Sequence, residues 1–153
     1  MQNLFYQSLL NNFGFQPTEN QLKVIGELTD FTFSNIKKHV FVLKGYAGTG
    51  KTSIVGAMVK TIPQFNFTSV LLAPTGRAAK VLSNYSNQPA FTIHKMIYQL
   101  TSGGDGYTKF SIKQNKFENT IFFVDEASMI GNGGGLSSMS WGQQKSLLDN
   151  LLE

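Results

Sequence analysis

The sequence of this 153-residue chain predicts an α/β fold in which a parallel sheet is covered by helices on both faces. The first observation behind this prediction is that three short apolar runs of strand length alternate with segments whose apolar residues recur at helical spacing. The second is a glycine-rich loop that directly follows the first apolar run and precedes a helical segment. A strand, a glycine loop and a helix in that order form a common unit of parallel α/β sheets.

The predicted elements follow one another in a simple order. Residues 3–13 carry a helical apolar stripe, and a second helix is predicted to open at Pro17. Residues 107–115 alternate as one arm of a hairpin around the glycines of residues 103–106. The predicted parallel strands are residues 39–43, 69–73 and 121–124, and the other predicted helices are residues 52–60, 76–82, 92–98 and a last helix from Ser140 onward.

The glycine-rich loop at residues 45–52 reads Gly-Tyr-Ala-Gly-Thr-Gly-Lys-Thr, a complete phosphate-binding motif. Glycines let the backbone curl so that successive N–H groups point at the phosphates of a nucleotide. Lys51 supplies a positive charge to the β- and γ-phosphates, and the Thr52 hydroxyl is a ligand for Mg²⁺. The loop predicts a P-loop NTPase that uses ATP and Mg²⁺. The expected nucleotide contacts are Gly45, Tyr46, Ala47, Gly48, Thr49, Gly50, Lys51 and Thr52.

An acidic pair, Asp125 and Glu126, comes directly after the third apolar run. Because ligands of parallel sheets bind at the carboxyl ends of the strands, both carboxylates are expected beside the phosphate loop. Asp125 is then placed to hold Mg²⁺ together with Thr52, and Glu126 to orient and deprotonate the attacking water. A solvated turn is the alternative for such a pair, but its position after a phosphate loop favours catalysis. The candidate catalytic residues are Lys51, Asp125 and Glu126.

The segment at residues 73–80 reads Ala-Pro-Thr-Gly-Arg-Ala-Ala-Lys and follows the second predicted strand. Thr75 is placed to cap the next helix, and Gly76 allows a ligand to approach the backbone closely. With Arg77, the only arginine in the chain, the helix N-terminus predicts a site for a nucleic-acid phosphate. A helix cap followed by ordinary surface charge is the alternative that stays open.

Two further polar positions have two interpretations each. Thr18 and Gln21 have the spacing of a capping box, so Gln21 is expected either to satisfy the Thr18 N–H or to contact an adenine edge. Residues 92–95, Thr-Ile-His-Lys, place a histidine beside a lysine. Without further ligands this histidine does not predict a metal site, and on its own it is compatible with an ordinary surface position.

Five short motifs resemble, in order and spacing, the superfamily 1B DNA helicases of the RecD type (the exodeoxyribonuclease V alpha type), near the Pif-type enzymes. The resemblance covers roughly residues 16–130 and is specific because all five motifs agree. The motifs are residues 18–21, 45–52, 73–79, 92–95 and 124–129.

The resemblance implies a RecA-like motor domain that moves 5′ to 3′ along single-stranded DNA and uses ATP hydrolysis to open duplex ahead of it. It implies an adenine contact for Gln21 and the Walker B role for Asp125 and Glu126. Residues 99–119 occupy the place of an inserted pin subdomain that separates strands, with Tyr98 or Tyr107 as the expected stacking aromatic. The residues implied to lie along single-stranded DNA are Thr75, Gly76, Arg77, Thr92 and His94.

The chain departs from that family after the fifth motif. The family continues with a Gly-Asp-x-x-Gln sensor motif and a second motor domain that carries an arginine finger, and none of these occurs before Glu153. We therefore expect residues 1–153 to be a partial first motor domain, truncated after the Walker B strand and the following helix. Because an arginine finger typically adds about 10³-fold or more to turnover, this part alone is expected to hydrolyse ATP very slowly.

Two other functions stay open. A AAA-type loader or remodeller also pairs a phosphate loop with an Asp-Glu pair, but the motif at residues 73–77 is not expected after its second strand. A nucleotide-binding fragment without motor activity is the other alternative. The sequence does not distinguish DNA repair from conjugation or replication, and it leaves partner subunits unknown.

Composition excludes several classes of protein. The chain has no cysteine, so neither a disulfide framework nor a cysteine zinc site is possible. No apolar run approaches the roughly 20 residues of a membrane span, and the N-terminus lacks the pattern of a secretion signal. These features favour a cytoplasmic protein with no membrane partner. The net charge of +4, from twelve lysines and one arginine, permits a polyanionic partner such as DNA.

Overall fold

The computed structural model describes residues 1–36, 38–102, 108–130 and 146–152. The chain divides into two compact units. The first comprises Met1–Ser69 with Asn119–Ile121, and the second comprises Val70–Glu118 with Phe122–Glu153. The predictions for Tyr107, for the glycines of residues 103–106 and for the start of the last helix at Ser140 fall outside the described residues.

Three helices form most of the first unit: α1 (Gln2–Phe13), α2 (Glu19–Thr32) and α3 (Lys51–Thr61), which continues into a 3₁₀ turn at Ile62–Phe65. α1 packs against both α2 and α3. Each helix turns its apolar stripe inward, as the sequence predicts. The buried side chains of this core are Phe5, Leu9, Phe13, Ile25, Leu28, Ile54, Ala57, Met58, Val59 and Ile62.

Phe5 lies at the centre of an aromatic cluster in this core. Its ring centroid is 5.3 Å from that of Phe33 and 5.0 Å from that of Phe65, both in edge-to-face arrangements. Phe33 in turn contacts Phe67, with centroids 5.8 Å apart. Edge-to-face pairs contribute about 0.5–1.5 kcal/mol each beyond the burial of their area. The cluster therefore fixes α1 against the end of α2 and against the 3₁₀ turn.

Five strands lie in the described part of the chain, and three of them form a sheet in the order β2-β1-β5. The remaining two pair with each other in a separate two-stranded sheet. The strands are β1 (Thr68–Ala73), β2 (Ala90–Thr92), β3 (Tyr98–Ser102), β4 (Thr108–Ile112) and β5 (Thr120–Val124).

The three-stranded sheet is parallel and flanked by helices, which confirms the predicted α/β class. β1 and β2 are in register with Ala73 opposite Thr92. On the other side of β1, the Leu72 carbonyl accepts a 2.9 Å hydrogen bond from the N–H of Asp125, the residue after β5. The crossover helix α4 (Gly76–Ser86) packs against β2. The ends of all three strands consequently meet at one edge of the sheet.

The predicted strand at residues 39–43 is wrong, because this segment joins no strand ladder among the described residues. The chain there alternates between half-buried and exposed residues, and its two valines are 60% and 67% exposed. Side chains on its other face hold it against α2: the rings of His39 and Phe41 lie 4.0 Å and 5.6 Å from that of Phe31. The third parallel strand is instead β2, whose three residues are too few to show a periodic pattern.

An antiparallel strand pair, β3 and β4, lies where the hairpin was predicted, directly after the short helix α5 (Ile93–Ile97). Leu100 is opposite Phe110 and Tyr98 is opposite Ile112, so these four share one face. Leu100 and Phe110 are 64% and 69% exposed. The hairpin therefore presents an uncovered apolar face towards its far end.

The last described helix, α6 (Leu147–Leu152), packs against α5. The side-chain amide of Asn150 donates a 2.8 Å hydrogen bond to the hydroxyl of Tyr98 at the base of the hairpin. Of the predicted leucine stripe, Leu148 and Leu152 are exposed and the other two leucines are half-buried. Within the described ranges, no helix is both long and apolar enough to cross a bilayer.

The aromatic cluster predicts a large cost for truncating its centre. Phe5→Ala should lower the free energy of unfolding by about 3–5 kcal/mol, because the side chain is fully buried and leaves a cavity. The matched control is the neighbouring Leu4, which is 69% exposed, so Leu4→Ala should change it by about 0.5 kcal/mol or less. Urea unfolding of both variants measures the difference, and equal losses would contradict the assigned core.

Candidate nucleotide-binding and nucleic-acid-binding sites

The loop at residues 45–52 has the backbone that its glycines predict. Gly48 and Gly50 have φ of 80° and 85°, in the left-handed region that glycine adopts without a Cβ clash, and Gly50 caps the start of α3. Gly45 is needed for space, because a Cβ there would lie 2.8 Å from the Thr49 hydroxyl oxygen. A side chain at position 45 would therefore collide with Thr49 and disturb the curl of the loop.

Lys51 is held inside this loop by its backbone carbonyls. Its Nζ donates hydrogen bonds of 2.6 Å to the Gly45 carbonyl and 2.8 Å to the Tyr46 carbonyl. The Thr49 hydroxyl donates to the same Tyr46 carbonyl at 2.9 Å. Thr52 is exposed on the first turn of α3. The positive charge that is expected to contact the phosphates, that of Lys51, therefore lies at the centre of the loop.

Gln21 connects the start of α2 to the same loop. The capping box is complete: the Thr18 hydroxyl accepts from the Gln21 N–H at 3.3 Å, and Gln21 Oε1 accepts from the Thr18 N–H at 2.9 Å. The Gln21 amide nitrogen also donates to the Thr49 carbonyl at 3.1 Å. The capping interpretation is confirmed, and the adenine contact stays a prediction. The contact with Thr49 could not be found from the sequence, because 28 residues separate the two.

Asp125 and Glu126 follow β5 in the second unit, and both are exposed. The Asp125 Oδ1 accepts a 2.9 Å hydrogen bond from the Glu126 N–H, which fixes the orientation of that carboxylate. Glu126 has φ of 53°, a left-handed conformation that costs a residue with a side chain about 1–2 kcal/mol. Such outliers cluster at functional sites. That this pair and the phosphate loop of the first unit share one Mg²⁺ stays a prediction.

The predicted DNA-contacting residues lie at the carboxyl ends of two neighbouring strands of the sheet. Thr75 follows β1 and caps α4 by accepting from the Ala78 N–H at 3.2 Å. Thr92 ends β2 and caps α5 by accepting from the Lys95 N–H at 3.2 Å. Since a hydroxyl that accepts from the backbone keeps its own hydrogen, both threonines can still donate to a phosphate. Gly76 and Arg77 are exposed on the first turn of α4, and His94 is half-buried on α5.

An open groove of about 320 Å³ lies between α4 and the segment formed by β2 and α5. The Lys95 Nζ is 5.6 Å from the centroid of the Phe91 ring, within cation–π distance. Lys80, Phe91 and Lys95 were not predicted as site residues, although the two lysines within the motif segments at residues 73–80 and 92–95 were a usable signal. The groove is lined by Gly76, Ala79, Lys80, Ser83, Asn84, Ala90, Phe91, Thr92 and Lys95.

A family model described as an AAA domain matches residues 18–137, which is more than half of the chain. The chain belongs to the AAA domain family. The matched region of this AAA domain contains the phosphate loop, the sheet and the acidic pair, so the predicted P-loop α/β class is confirmed.

Three relatives show how the AAA domain compares with longer proteins. It is 28% identical over 126 residues to the ATP-dependent RecD2 DNA helicase of Deinococcus radiodurans, covering 80% of the chain and 16% of the helicase. It is 39% identical over 62 residues to the ATP-dependent DNA helicase dda of Enterobacteria phage T4, covering 40% of the chain and 14% of that protein. An uncharacterised protein of Acanthamoeba polyphaga mimivirus is 31% identical over 137 residues, covering 74% of the chain and 27% of the viral protein. No solved structure matches the chain.

The left-handed backbone of Glu126 predicts that glycine is more stable than alanine at this position of the AAA domain, the reverse of the usual order. At φ of 53° alanine keeps the steric cost and glycine removes it, so Glu126→Gly should be more stable than Glu126→Ala by about 1 kcal/mol. At an ordinary position glycine is the less stable of the two. Urea unfolding of the pair measures this order, and an alanine variant as stable as the glycine variant would contradict the strained conformation.

Proposed function

We propose that this AAA domain is the nucleotide-binding part of an ATP-dependent DNA helicase that moves 5′ to 3′ along single-stranded DNA. The observation that carries the proposal is the loop at residues 45–52, which curls around the ammonium of Lys51. Two of its relatives are named as ATP-dependent DNA helicases. Since the chain spans 16% of the RecD2 helicase, the proposal concerns the protein that contains this domain together with the rest of the motor.

The residues of the loop and of the acidic pair would divide the hydrolysis of ATP between them. The loop N–H groups and Lys51 would bind the phosphates. Thr52 and Asp125 would hold Mg²⁺, which supplies positive charge to the phosphate oxygens. Glu126 would accept a proton from the attacking water as its oxygen bonds to the γ-phosphorus and the bond to ADP breaks.

The groove of the second unit supports a nucleic-acid partner. Lys80 and Lys95 line it, and Arg77 is exposed on the adjoining first turn of α4. Cations and capping hydroxyls at strand ends are suited to phosphates, which carry no sequence information. We therefore propose that single-stranded DNA lies along this edge, with Thr75, Gly76, Thr92 and His94 beside its backbone.

The hairpin of β3 and β4 supports the proposed pin at residues 99–119. Its exposed pair of Leu100 and Phe110 offers an apolar surface on which unpaired bases can stack. Tyr98 is half-buried, and its hydroxyl is bonded to Asn150, which makes it a poorer stacking platform than Phe110. We propose that Phe110 takes the stacking role.

A AAA-type loader or remodeller is the second candidate, because the family shown is the AAA domain. The segment at residues 73–77 and the basic groove beside it favour the helicase. An unwinding assay on a protein that contains this domain separates the two, because a loader would hydrolyse ATP without separating the strands of a duplex.

Two substitutions test the assigned roles in ATP hydrolysis. Lys51→Ala should abolish ATP binding, because the phosphates lose their main side-chain charge. Glu126→Gln should leave ATP affinity within about twofold and stop turnover, since only the proton acceptor is lost. Calorimetric titration and phosphate release measure the two effects. Turnover of the Glu126→Gln variant at the wild-type rate would remove Glu126 from the mechanism.

The groove predicts a salt-dependent and sequence-independent affinity for single-stranded DNA. Lys80→Ala with Lys95→Ala should lower the slope of log K against log salt by about 1.4, because each lost phosphate contact contributes about 0.7 on a single strand. Arg77→Ala should lower it by roughly half as much. The matched control for Arg77→Ala is Lys60→Ala, which removes one positive charge from an exposed lysine at the end of α3. If Lys60→Ala lowered the slope as much as Arg77→Ala does, the effect would come from net charge alone and the proposed DNA site would be contradicted.

A further inference from the structure

The side-chain amide of Gln21 makes hydrogen bonds at both of its ends. Its Oε1 accepts from the Thr18 N–H at 2.9 Å, and its Nε2 donates to the Thr49 carbonyl at 3.1 Å. The first partner is only a donor and the second only an acceptor, so a single orientation of the amide satisfies both. The N-terminus of α2 thus fixes the direction in which Gln21 presents its N–H group to the loop.

The contact between Gln21 and the loop is close as well as directional. A Cβ placed on Gly50 would lie 2.7 Å from Gln21 Nε2, so the amide occupies the space beside the backbone of residue 50. The loop and α2 both belong to the first unit. Gln21 therefore constrains the Thr49–Gly50 peptide from one side.

The peptide between Thr49 and Gly50 links the direction of its C=O to the direction of its N–H. A trans peptide is planar, with its C=O and its N–H pointing in opposite directions, and the described chain has no cis peptide. Because Gln21 holds the Thr49 carbonyl, the Gly50 N–H of the same peptide points away from Gln21. The N–H groups of this loop are those that the motif uses to bind phosphate.

We propose that Gln21 is a positioning residue for the phosphate loop, which orients the Gly50 N–H towards the phosphates of the nucleotide and acts on the triphosphate independently of the base. This inference rests on the proposed nucleotide binding. It differs from the adenine contact expected from the sequence, because a residue that contacts adenine contributes nothing to a ligand without a base.

The test compares ATP with inorganic tripolyphosphate, both with Mg²⁺, by calorimetric titration of the full 153-residue chain. Gln21→Glu keeps the acceptor for the Thr18 N–H and loses the donor to Thr49. Gln21→Met loses that donor without adding a charge. Both variants should bind ATP and tripolyphosphate about three- to tenfold more weakly, by the same factor for each ligand, as expected for one lost hydrogen bond.

The matched control is Thr18→Val. It removes the hydroxyl that caps α2 but keeps the backbone N–H that orients Gln21, so both side-chain bonds of Gln21 remain. This variant should bind both ligands as the wild type does, while losing about as much thermal stability as the Gln21 variants. A loss of affinity for tripolyphosphate in Thr18→Val equal to that in Gln21→Met would assign the effect to the helix cap and overturn the proposal.

The remaining outcomes are also decisive. Weaker binding of ATP alone, with unchanged tripolyphosphate affinity, would overturn the proposal in favour of an adenine contact. Unchanged affinity for both ligands in both variants would show that the bond to Thr49 has no effect on the loop. If the wild type bound neither ligand, the proposed nucleotide binding would fail, and the positioning role would fail with it.

Discussion

The candidate nucleotide site depends above all on one acceptor, the backbone carbonyl of Tyr46. It accepts hydrogen bonds from the Thr49 N–H at 3.4 Å, from the Thr49 hydroxyl at 2.9 Å and from Lys51 Nζ at 2.8 Å. These bonds fold the chain back between Tyr46 and Lys51 and place the positive charge of the Lys51 ammonium at the centre of the loop. Charge-assisted bonds are stronger than neutral ones, so the ammonium helps to shape the loop as well as to supply charge. The glycines matter because only they permit the backbone angles that this closure requires.

The fold could be predicted from the sequence where a pattern was long enough to have a period. α2 and its capping box were predictable because Thr18 and Gln21 have a fixed spacing and an apolar stripe follows them. β1 and β5 were predictable as apolar runs followed by polar residues. Residues 39–43 have the same composition, but whether such a run joins a ladder depends on neighbours distant in the sequence. In this chain the rings of His39 and Phe41 pack on Phe31, and no strand pairs with the segment among the described residues.

The candidate sites were predictable in their residue types and unpredictable in their connections. Motif spacing identified Lys51, Asp125 and Glu126 as residue types suited to phosphate, metal and water. It carried no information on which carbonyl Lys51 contacts or on the strained backbone of Glu126, because both follow from three-dimensional packing. The groove was missed for the same reason: Lys80 and Lys95 come together only because α4 and α5 follow two strands paired in register.

Three of the motifs contain a threonine that caps the N-terminus of a helix. Thr18, Thr75 and Thr92 each accept from an N–H three residues further along the chain. A hydroxyl that accepts one hydrogen bond still has its own hydrogen to donate, so capping and ligand binding are compatible on the same oxygen. The cap also fixes the rotamer, and a fixed donor loses less entropy on binding than a free one. At positions 75 and 92, the two proposed DNA contacts, a threonine therefore gives both a defined helix start and a preoriented donor, which neither alanine nor valine would supply.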